Sequence, residues 1–277
     1  MRRLQSGPLA VLTLVMAAII ATGTFGSGVA SAATTVVVSP IQHQGWSTAD
    51  TRPGGAVMFV NDPTSPFPSG ALQLTTVNTT AAKAQYLHAA NLPLSGVNDL
   101  SYYTKQNAGP IHADPSYQLL VELDGVVTPG DPTGFTTFVY EPYQKDGEGT
   151  VPTIVPGVWQ SWDVDTGQFW SSRSFTDGTC SVSSGAGGPP FYSLAALKVA
   201  CPNAVAIGFG VNIGSFNPGY DVYTDGVTFN ETTYDFQYPV GPPTSKDECK
   251  NGGWESFDTP RAFKNQGDCN QFVNTGK

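Results

Sequence analysis

The sequence predicts an all-β fold: an antiparallel β-sandwich of the jelly-roll type, followed by a small C-terminal element stapled by a disulfide. Turn-forming residues are abundant, with 31 glycines and 22 prolines in 277 residues and no collagen-like period. Between them lie short apolar or alternating runs, which are typical of sheets built from many short strands. Only residues 193–199 have a helical pattern, with Ser193 placed to cap the helix.

The strand predictions rest on period-two alternation and on apolar runs bounded by turns. The clearest is 117–123, where Tyr117, Leu119 and Val121 share one face. In the last strand, Asp225-Gly226 predicts a bulge or turn inside the strand. The other predicted strands are 35–38, 56–60, 72–75, 135–140, 158–164, 204–211 and 220–229.

The first 32 residues have the pattern of a secretory signal peptide. A basic head is followed by an apolar run at 9–20 and by Ala30-Ser31-Ala32, an A-x-A cleavage site. The apolar run is about 12 residues long, short of the roughly 20 needed to cross a bilayer. We therefore predict a secreted, extracellular protein with no membrane span after cleavage.

Composition divides the rest of the chain into three parts. Residues 33–237 form the predicted sandwich domain, 238–248 a linker rich in proline and glycine, and 249–277 the disulfide-stapled tail. The formal net charge of −9 argues against a nucleic-acid partner, which would need clustered Lys and Arg. No basic patch for anionic lipids is present either.

Four cysteines in an exported chain imply two disulfides, and three pairings are open. The cysteines are Cys180, Cys201, Cys249 and Cys269. Their spacing favours local pairing of the first two and of the last two. The sequence lacks the closely spaced pairs of Cys or His residues that zinc sites need. Oxidising surroundings argue against a free thiol acting as a nucleophile. We predict that the tail is a disulfide-closed hairpin or loop, in which residues 264–267 either form a turn or face a partner.

The tail resembles a motif found at the ends of many secreted bacterial proteins of uncharacterised function. The pattern CKxGGWxxF runs from Cys249 to Phe257, and FKNQGxCxxF runs from Phe263 to Phe272. The resemblance implies an extracellular location and supplies no catalytic residue.

The preceding region resembles secreted actinobacterial β-sandwich proteins in three features. These are GW at 45–46 with RxGG at 52–55, FVYEPY at 138–143 with WQxWD at 159–163, and TDGVT at 224–228 before YDF at 234–236. The strand at 224–228 is also similar to the last strand of galactose-binding-like carbohydrate modules. The resemblance implies a carbohydrate-binding-module-like sandwich fold.

Aromatic residues near 159–170 are the clearest functional signal. Sugar-binding proteins place aromatic faces against pyranose C–H surfaces and flank them with polar side chains, although aromatic residues also fill sandwich cores. By alternation, Trp159 and Trp162 point to opposite faces, so we expect one of them in the core. The predicted ligand-binding residues are Trp170, Trp159, Tyr140, Tyr143, Gln160 and Asp163.

Two carboxylates on predicted strands, Glu122 and Glu141, are candidates for a catalytic pair. Glycoside hydrolysis needs two such groups about 5–10 Å apart. No motif fixes this pair, and solvated acids on strand faces are the simpler interpretation.

Calcium is the remaining cofactor candidate, and no other cofactor is indicated. Four aspartates in turns could supply oxygen ligands without forming an EF-hand spacing: Asp124, Asp131, Asp221 and Asp225.

The sequence favours a non-catalytic binding module for a polysaccharide or a cell-surface glycan. Two alternatives stay open: a glycoside hydrolase or polysaccharide lyase on a jelly-roll fold, and a structural surface protein with a partner-docking tail. The oligomeric state is left open as well.

Overall fold

The computed structural model describes residues 33–277 apart from 41, 68–69, 111–113, 128–132, 145–153, 179, 239–240, 251 and 258. The predicted signal peptide, residues 1–32, and the calcium candidate Asp131 lie outside the described residues. Among the described helices, none has the length and apolar character needed to cross a membrane.

Sixteen strands, two α-helices and three short 3-10 helices make up the described part of the chain. The first eight strands are β1 (Thr34–Val38), β2 (Trp46–Ser47), β3 (Gly55–Val60), β4 (Ala71–Thr76), β5 (Ala84–Pro93), β6 (Ser101–Ala108), β7 (Ser116–Glu122) and β8 (Phe135–Tyr140). The others are β9 (Gln160–Asp163), β10 (Gln168–Ser171), β11 (Phe175–Asp177), β12 (Cys180–Val182), β13 (Phe191–Ser193), β14 (Val205–Ile213), β15 (Asp221–Phe229) and β16 (Thr232–Phe236). The α-helices are α1 (Leu194–Ala200) and α2 (Gln266–Thr275), and the 3-10 helices are Leu94–Gly96, Pro142–Gln144 and Gly253–Ser256.

Two seven-stranded sheets form the sandwich. The first has the order β1-β16-β15-β4-β3, with β6 also pairing with β15 and β9 pairing with β6. The second has the order β13-β10-β8-β7-β14-β5-β2. Pairing within the sheets is antiparallel except between β1 and β16. This arrangement confirms the predicted all-β, antiparallel sandwich class.

The core lies between the sheets and is rich in aromatic rings. Leu72 and Leu74 from the first sheet belong to the same buried cluster as Tyr117 and Leu119 from the second. Trp46 is only 4% exposed. Its ring packs against a group of aromatic side chains from both sheets: Tyr86, Phe209, Tyr234 and Phe236.

Cys180 is bonded to Cys201, so the disulfide ties β12 to the residue that ends α1. The predicted capping residue, Ser193, accepts a hydrogen bond from the backbone N–H of Ala196. Its hydroxyl satisfies one of the unpaired amides in the first turn of the helix. The structure thus has the local pairing that the spacing favours.

The tail has its own small core, closed by the disulfide between Cys249 and Cys269. Contrary to the predicted hairpin or loop, it contains the ten-residue helix α2. The side chain of Asn265 caps this helix by accepting from the backbone N–H of Asp268 at 2.9 Å, and Gly276 ends it in a left-handed conformation. The predicted turn residues are therefore the start of a helix.

The bulge predicted at Asp225-Gly226 is present. The register of β15 against β6 shifts between Asp225 and Thr228, and Gly226 has φ 56°, in the left-handed region that glycine adopts without strain.

Candidate functional site

A groove with a volume of about 840 Å³ lies against the outer face of the second sheet. Apolar and aromatic residues form part of its lining: Leu87, Leu120, Phe135, Val139, Tyr143 and Trp170. Between them lie neutral amide and hydroxyl side chains: Gln85, Ser116, Gln118, Thr137 and Asn212. The lining is therefore mixed, with many hydrogen-bonding groups beside flat apolar ones.

Strand alternation brings these side chains into the groove. On β7, Tyr117 and Leu119 are fully buried in the core, so the intervening Gln118 and the following Leu120 face the groove. On β14, which lies between β7 and β5, the groove-facing residue Asn212 donates a hydrogen bond to Gln85 on β5 at 3.1 Å. Neighbouring strands thus supply hydrogen-bonded amides side by side.

At one flank of the groove, Trp170 on β10 is hydrogen bonded to Glu141, which follows β8. The indole N–H donates to Oε2 at 2.9 Å. Tyr143 also hydrogen bonds to this carboxyl group. Burial raises the pKa of Glu141, and the bonds from Trp170 and Tyr143 offset part of that rise. The pair presents a half-buried aromatic ring beside a carboxyl group that is held in place.

Asp114, which precedes β7 and is 4% exposed, also lines the groove. A chain of hydrogen bonds connects it to two side chains of the first sheet. The indole N–H of Trp162 donates to Oγ1 of Thr104 at 2.7 Å, and that hydroxyl donates to Oδ2 of Asp114 at 2.6 Å. Oδ1 of Asp114 has no hydrogen-bond partner in the described part of the chain. Burial raises the pKa of Asp114 to about 6, against the lowering effect of the Thr104 bond.

Three basic side chains also line the groove. Lys83 forms an ion pair with Asp50 at 2.5 Å. Arg52 donates from Nη1 to the hydroxyl of Ser215 at 2.9 Å. The guanidinium of Arg173 lies 5.0 Å from the centre of the Phe135 ring.

The structure brings only part of the predicted ligand set together. Trp170 and Tyr143 line the groove along with the catalytic candidate Glu141. Tyr140 alternates to the opposite face of β8 and is fully buried against Tyr102 and Phe169, so it does not reach the groove.

The other three predicted ligand residues belong to the first sheet or to the loop that enters it. Trp159 lies 5.3 Å from the ammonium group of Lys105. Gln160, at the start of β9, accepts a hydrogen bond from the backbone of Val155 at 2.7 Å. Asp163, at the end of β9, accepts from the backbone of Asp165 at 3.1 Å. None of the three lines the groove.

Glu122 and Glu141 cannot act as a glycosidase pair. Glu122 is 5% exposed and pairs with Phe135 at the first residue of β8, whereas Glu141 follows the last residue of that strand. Six residues of extended chain correspond to about 20 Å, well beyond the 5–10 Å that the reaction requires.

The calcium candidates are scattered. Asp124 accepts from the backbone of Val126, and Asp221 accepts from Gln73. Asp225 is fully buried and accepts from Ser65 and from the backbone of Phe236. Among the residues that the structure describes, no three His, Cys, Asp or Glu side chains are grouped to hold a metal ion.

Sequence reasoning missed Asp114, Gln118, Asn212 and Arg52 as groove residues. The position of Gln118 could have been predicted, because it alternates with the predicted core residues Tyr117 and Leu119. Asp114 and Arg52 lie outside the predicted strands, and their position depends on how distant segments pair.

Comparison with known proteins gives a likeness of fold alone. No protein-family model matches the chain, and no curated protein matches it. Two solved structures of the family 11 carbohydrate-binding module from Clostridium thermocellum, one in complex with a β-1,3-1,4-mixed-linked tetrasaccharide and one from a cellulosomal cellulase, are 10% and 11% identical. In each case the match covers 67% of this chain and 86% of the module, with a TM-score of 0.37.

A sugar-binding protein described as putative, from Bacteroides thetaiotaomicron, is 14% identical over 73% of this chain and 94% of its own, also with a TM-score of 0.37. Likenesses at this level carry no conclusion about ligands. What the chain binds has to follow from its own groove.

Proposed function

We propose that the chain is an extracellular binding protein whose groove on the second sheet takes a polysaccharide or a cell-surface glycan. One observation carries the proposal: the groove sets the half-buried ring of Trp170 beside a row of amide, hydroxyl and carboxyl side chains. Two disulfides and a secretory leader pattern in the sequence support the extracellular location, since disulfides persist in oxidising compartments.

A glycan suits such a lining because each sugar ring has two kinds of surface. Its C–H face is apolar and slightly positive, and it packs against the negative face of an aromatic ring such as Trp170. Its hydroxyls both donate and accept, so they can satisfy Gln118 and Asn212 at the same time. A purely apolar ligand would cover polar groups of these amides without bonding to them, and each group buried in that way costs roughly 1–3 kcal/mol.

The groove is long enough for several sugar units. From β10 to β5 it crosses four strand spacings, or about 19 Å. A ring with its linking oxygen extends on the order of 5 Å, from covalent bond lengths near 1.5 Å. Three or four linked sugars therefore fit across the sheet, which favours a polymer over a single sugar.

The test is binding to a panel of soluble and insoluble polysaccharides, with Trp170→Ala compared with Trp159→Ala. Both variants remove an indole, but Trp159 lies outside the groove. We expect binding to fall at least ten-fold in Trp170→Ala and to persist in Trp159→Ala, with both variants folded by circular dichroism. Failure of the wild-type protein to bind any glycan would refute the proposal.

Glycan hydrolysis is the second candidate, and one observation favours it. Asp114 and Glu141 both line the groove, and burial raises the pKa of both, as a general acid requires. Release of reducing ends by the wild-type protein, lost in both Glu141→Gln and Asp114→Asn, would establish an enzyme. Binding without such release would leave the non-catalytic function.

A further inference from the structure

Three of the five Lys and Arg residues that the structure describes in the sandwich line the groove: Arg52, Lys83 and Arg173. Between residues 33 and 260 the sequence has two arginines, Arg52 and Arg173, and both line the groove. The chain as a whole carries a formal net charge of −9, so this grouping runs against the overall charge. Lys105 and Lys198 are held elsewhere, by Asp62 and by the backbone carbonyl of Val97.

Neither groove arginine is neutralised by a carboxylate of the described residues. Arg52 is exposed and is oriented by the hydroxyl of Ser215. Arg173 is exposed and stacks on Phe135, while its backbone N–H donates to Thr136. The only ion pair among the groove residues described joins Lys83 to Asp50. Both guanidinium groups therefore keep N–H donors for a ligand.

The described lining of the groove also has three acids, which balance its three basic residues in formal charge, but none of them is bonded to an arginine. Asp50 is paired with Lys83, Asp114 accepts from Thr104, and Glu141 accepts from Trp170. Both arginines stay charged at any physiological pH. The guanidinium is a flat fork of donors that matches the two oxygens of a carboxylate.

The two arginines lie at opposite corners of the groove. The backbone of Arg52 pairs with that of Lys83, the residue just before β5. The backbone N–H of Arg173 donates to Thr136 near the start of β8. Three strand spacings separate β5 from β8, and the register places Lys83 about seven residues of strand away from the level of Thr136, which gives a diagonal of about 28 Å. A ligand that contacts both must be an extended chain with more than one anionic group.

Building on the proposed glycan-binding function, we propose that the groove binds an acidic polysaccharide, a polymer of uronic acids, whose carboxylates are held by Arg52 and Arg173. The neutral side chains between them bind the sugar hydroxyls, and the arginines select the charged polymer over a neutral one.

The test compares polygalacturonate, dextran sulfate and a neutral β-glucan by affinity electrophoresis and calorimetry. We expect polygalacturonate to bind at least ten-fold more tightly than the neutral glucan, with binding weakened by added salt. Arg52→Gln and Arg173→Gln should each lower that affinity about ten-fold, the effect of losing one charge-assisted contact. Arg261→Gln, in the tail, makes the same change in net charge and should leave the affinity unaltered.

The outcomes separate this inference from the proposed function. Equal affinity for neutral glucan and polygalacturonate, or Arg52→Gln and Arg173→Gln variants that bind polygalacturonate like the wild type, would overturn the inference and leave glycan binding intact. Tighter binding of dextran sulfate than of polygalacturonate would overturn the choice of carboxylates. Binding to none of the three, nor to any other glycan, would refute the proposed function itself.

Discussion

The indole N–H of Trp170 donates to Oε2 of Glu141 at 2.9 Å, joining β10 to the residue that follows β8 at one flank of the groove. This bond orients the ring and the carboxyl group together, so neither residue can be changed without affecting the other.

Replacing Trp170 with Phe would keep a ring but remove the donor. Because that hydrogen bond lowers the pKa of Glu141, the pKa should rise further, and the free energy of unfolding at pH 7 should fall by about 1–3 kcal/mol. Urea unfolding of Trp170→Phe, Glu141→Gln and the double variant measures the coupling. Effects that simply add would contradict the pairing.

Stability should fall as the pH rises from about 4 to about 6. Burial raises the pKa of Asp114 and of Asp235 to about 6, above the roughly 3.9 of an unfolded chain. The folded protein therefore binds more protons than the unfolded chain in this interval, and deprotonation destabilises it, on the order of 2 kcal/mol for each group.

Urea midpoints at pH 4.5 and pH 7 test this pH dependence. Asp114→Asn and Asp235→Asn should each flatten the difference, whereas the exposed Asp177→Asn should not. If both Asp114→Asn and Asp235→Asn keep the wild-type difference between the two midpoints, these two carboxyl groups are not its cause.

Trp46→Ala should be among the most damaging single substitutions, at about 3–5 kcal/mol, because it opens a cavity among Tyr86, Phe209 and Phe236. Trp46→Phe should cost much less, since it fills most of the space and removes a buried indole N–H that has no partner among the described residues. Chemical denaturation with Trp159→Ala as a half-buried control checks the ranking. A similar loss in Trp46→Phe and Trp46→Ala would contradict it.

Removing the tail disulfide with Cys249→Ala and Cys269→Ala should unfold the tail and leave the sandwich folded. The tail core shares no buried residue with the main core. A disulfide that closes a loop of this length stabilises the folded state by roughly 3 kcal/mol, so the tail depends on it. Hydrogen exchange should then lose protection across α2 and keep it across β7.

The matched change, Cys180→Ala with Cys201→Ala, removes a bond whose cysteines both belong to the main core. It should lower the unfolding midpoint of the sandwich itself. Loss of protection in β7 after opening the tail disulfide would mean that the two cores depend on each other.

Local patterns were enough to predict the all-β class, the strand at Tyr117 to Val121 and the bulge at Asp225, because each depends on near neighbours in sequence. They did not predict β5, whose sequence AQYLHAANLP alternates weakly and becomes a strand through pairing with β14 and β2. The same limit applies to α2, where Asn265 as a cap outweighed the turn pattern of the next residues.

The candidate site was predicted only where a residue's type was informative. Trp170, Tyr143 and Glu141 share the groove, but Trp159 and Asp163, close to Trp170 in sequence, lie on or beside the other sheet. Strand order decides this partition, and strand order depends on long-range pairing that no short window of sequence contains.

The hydrogen-bond chain from Trp162 through Thr104 to Asp114 crosses the sandwich from one sheet to the edge of the groove on the other. The groove-lining carboxyl group of Asp114 is thus anchored to side chains of the first sheet. A change on β9 or β6, remote from anything a ligand touches, can alter recognition by releasing Asp114. Among related proteins, we expect substitutions in the first sheet at this hydrogen-bond chain to accompany changes in what the groove binds.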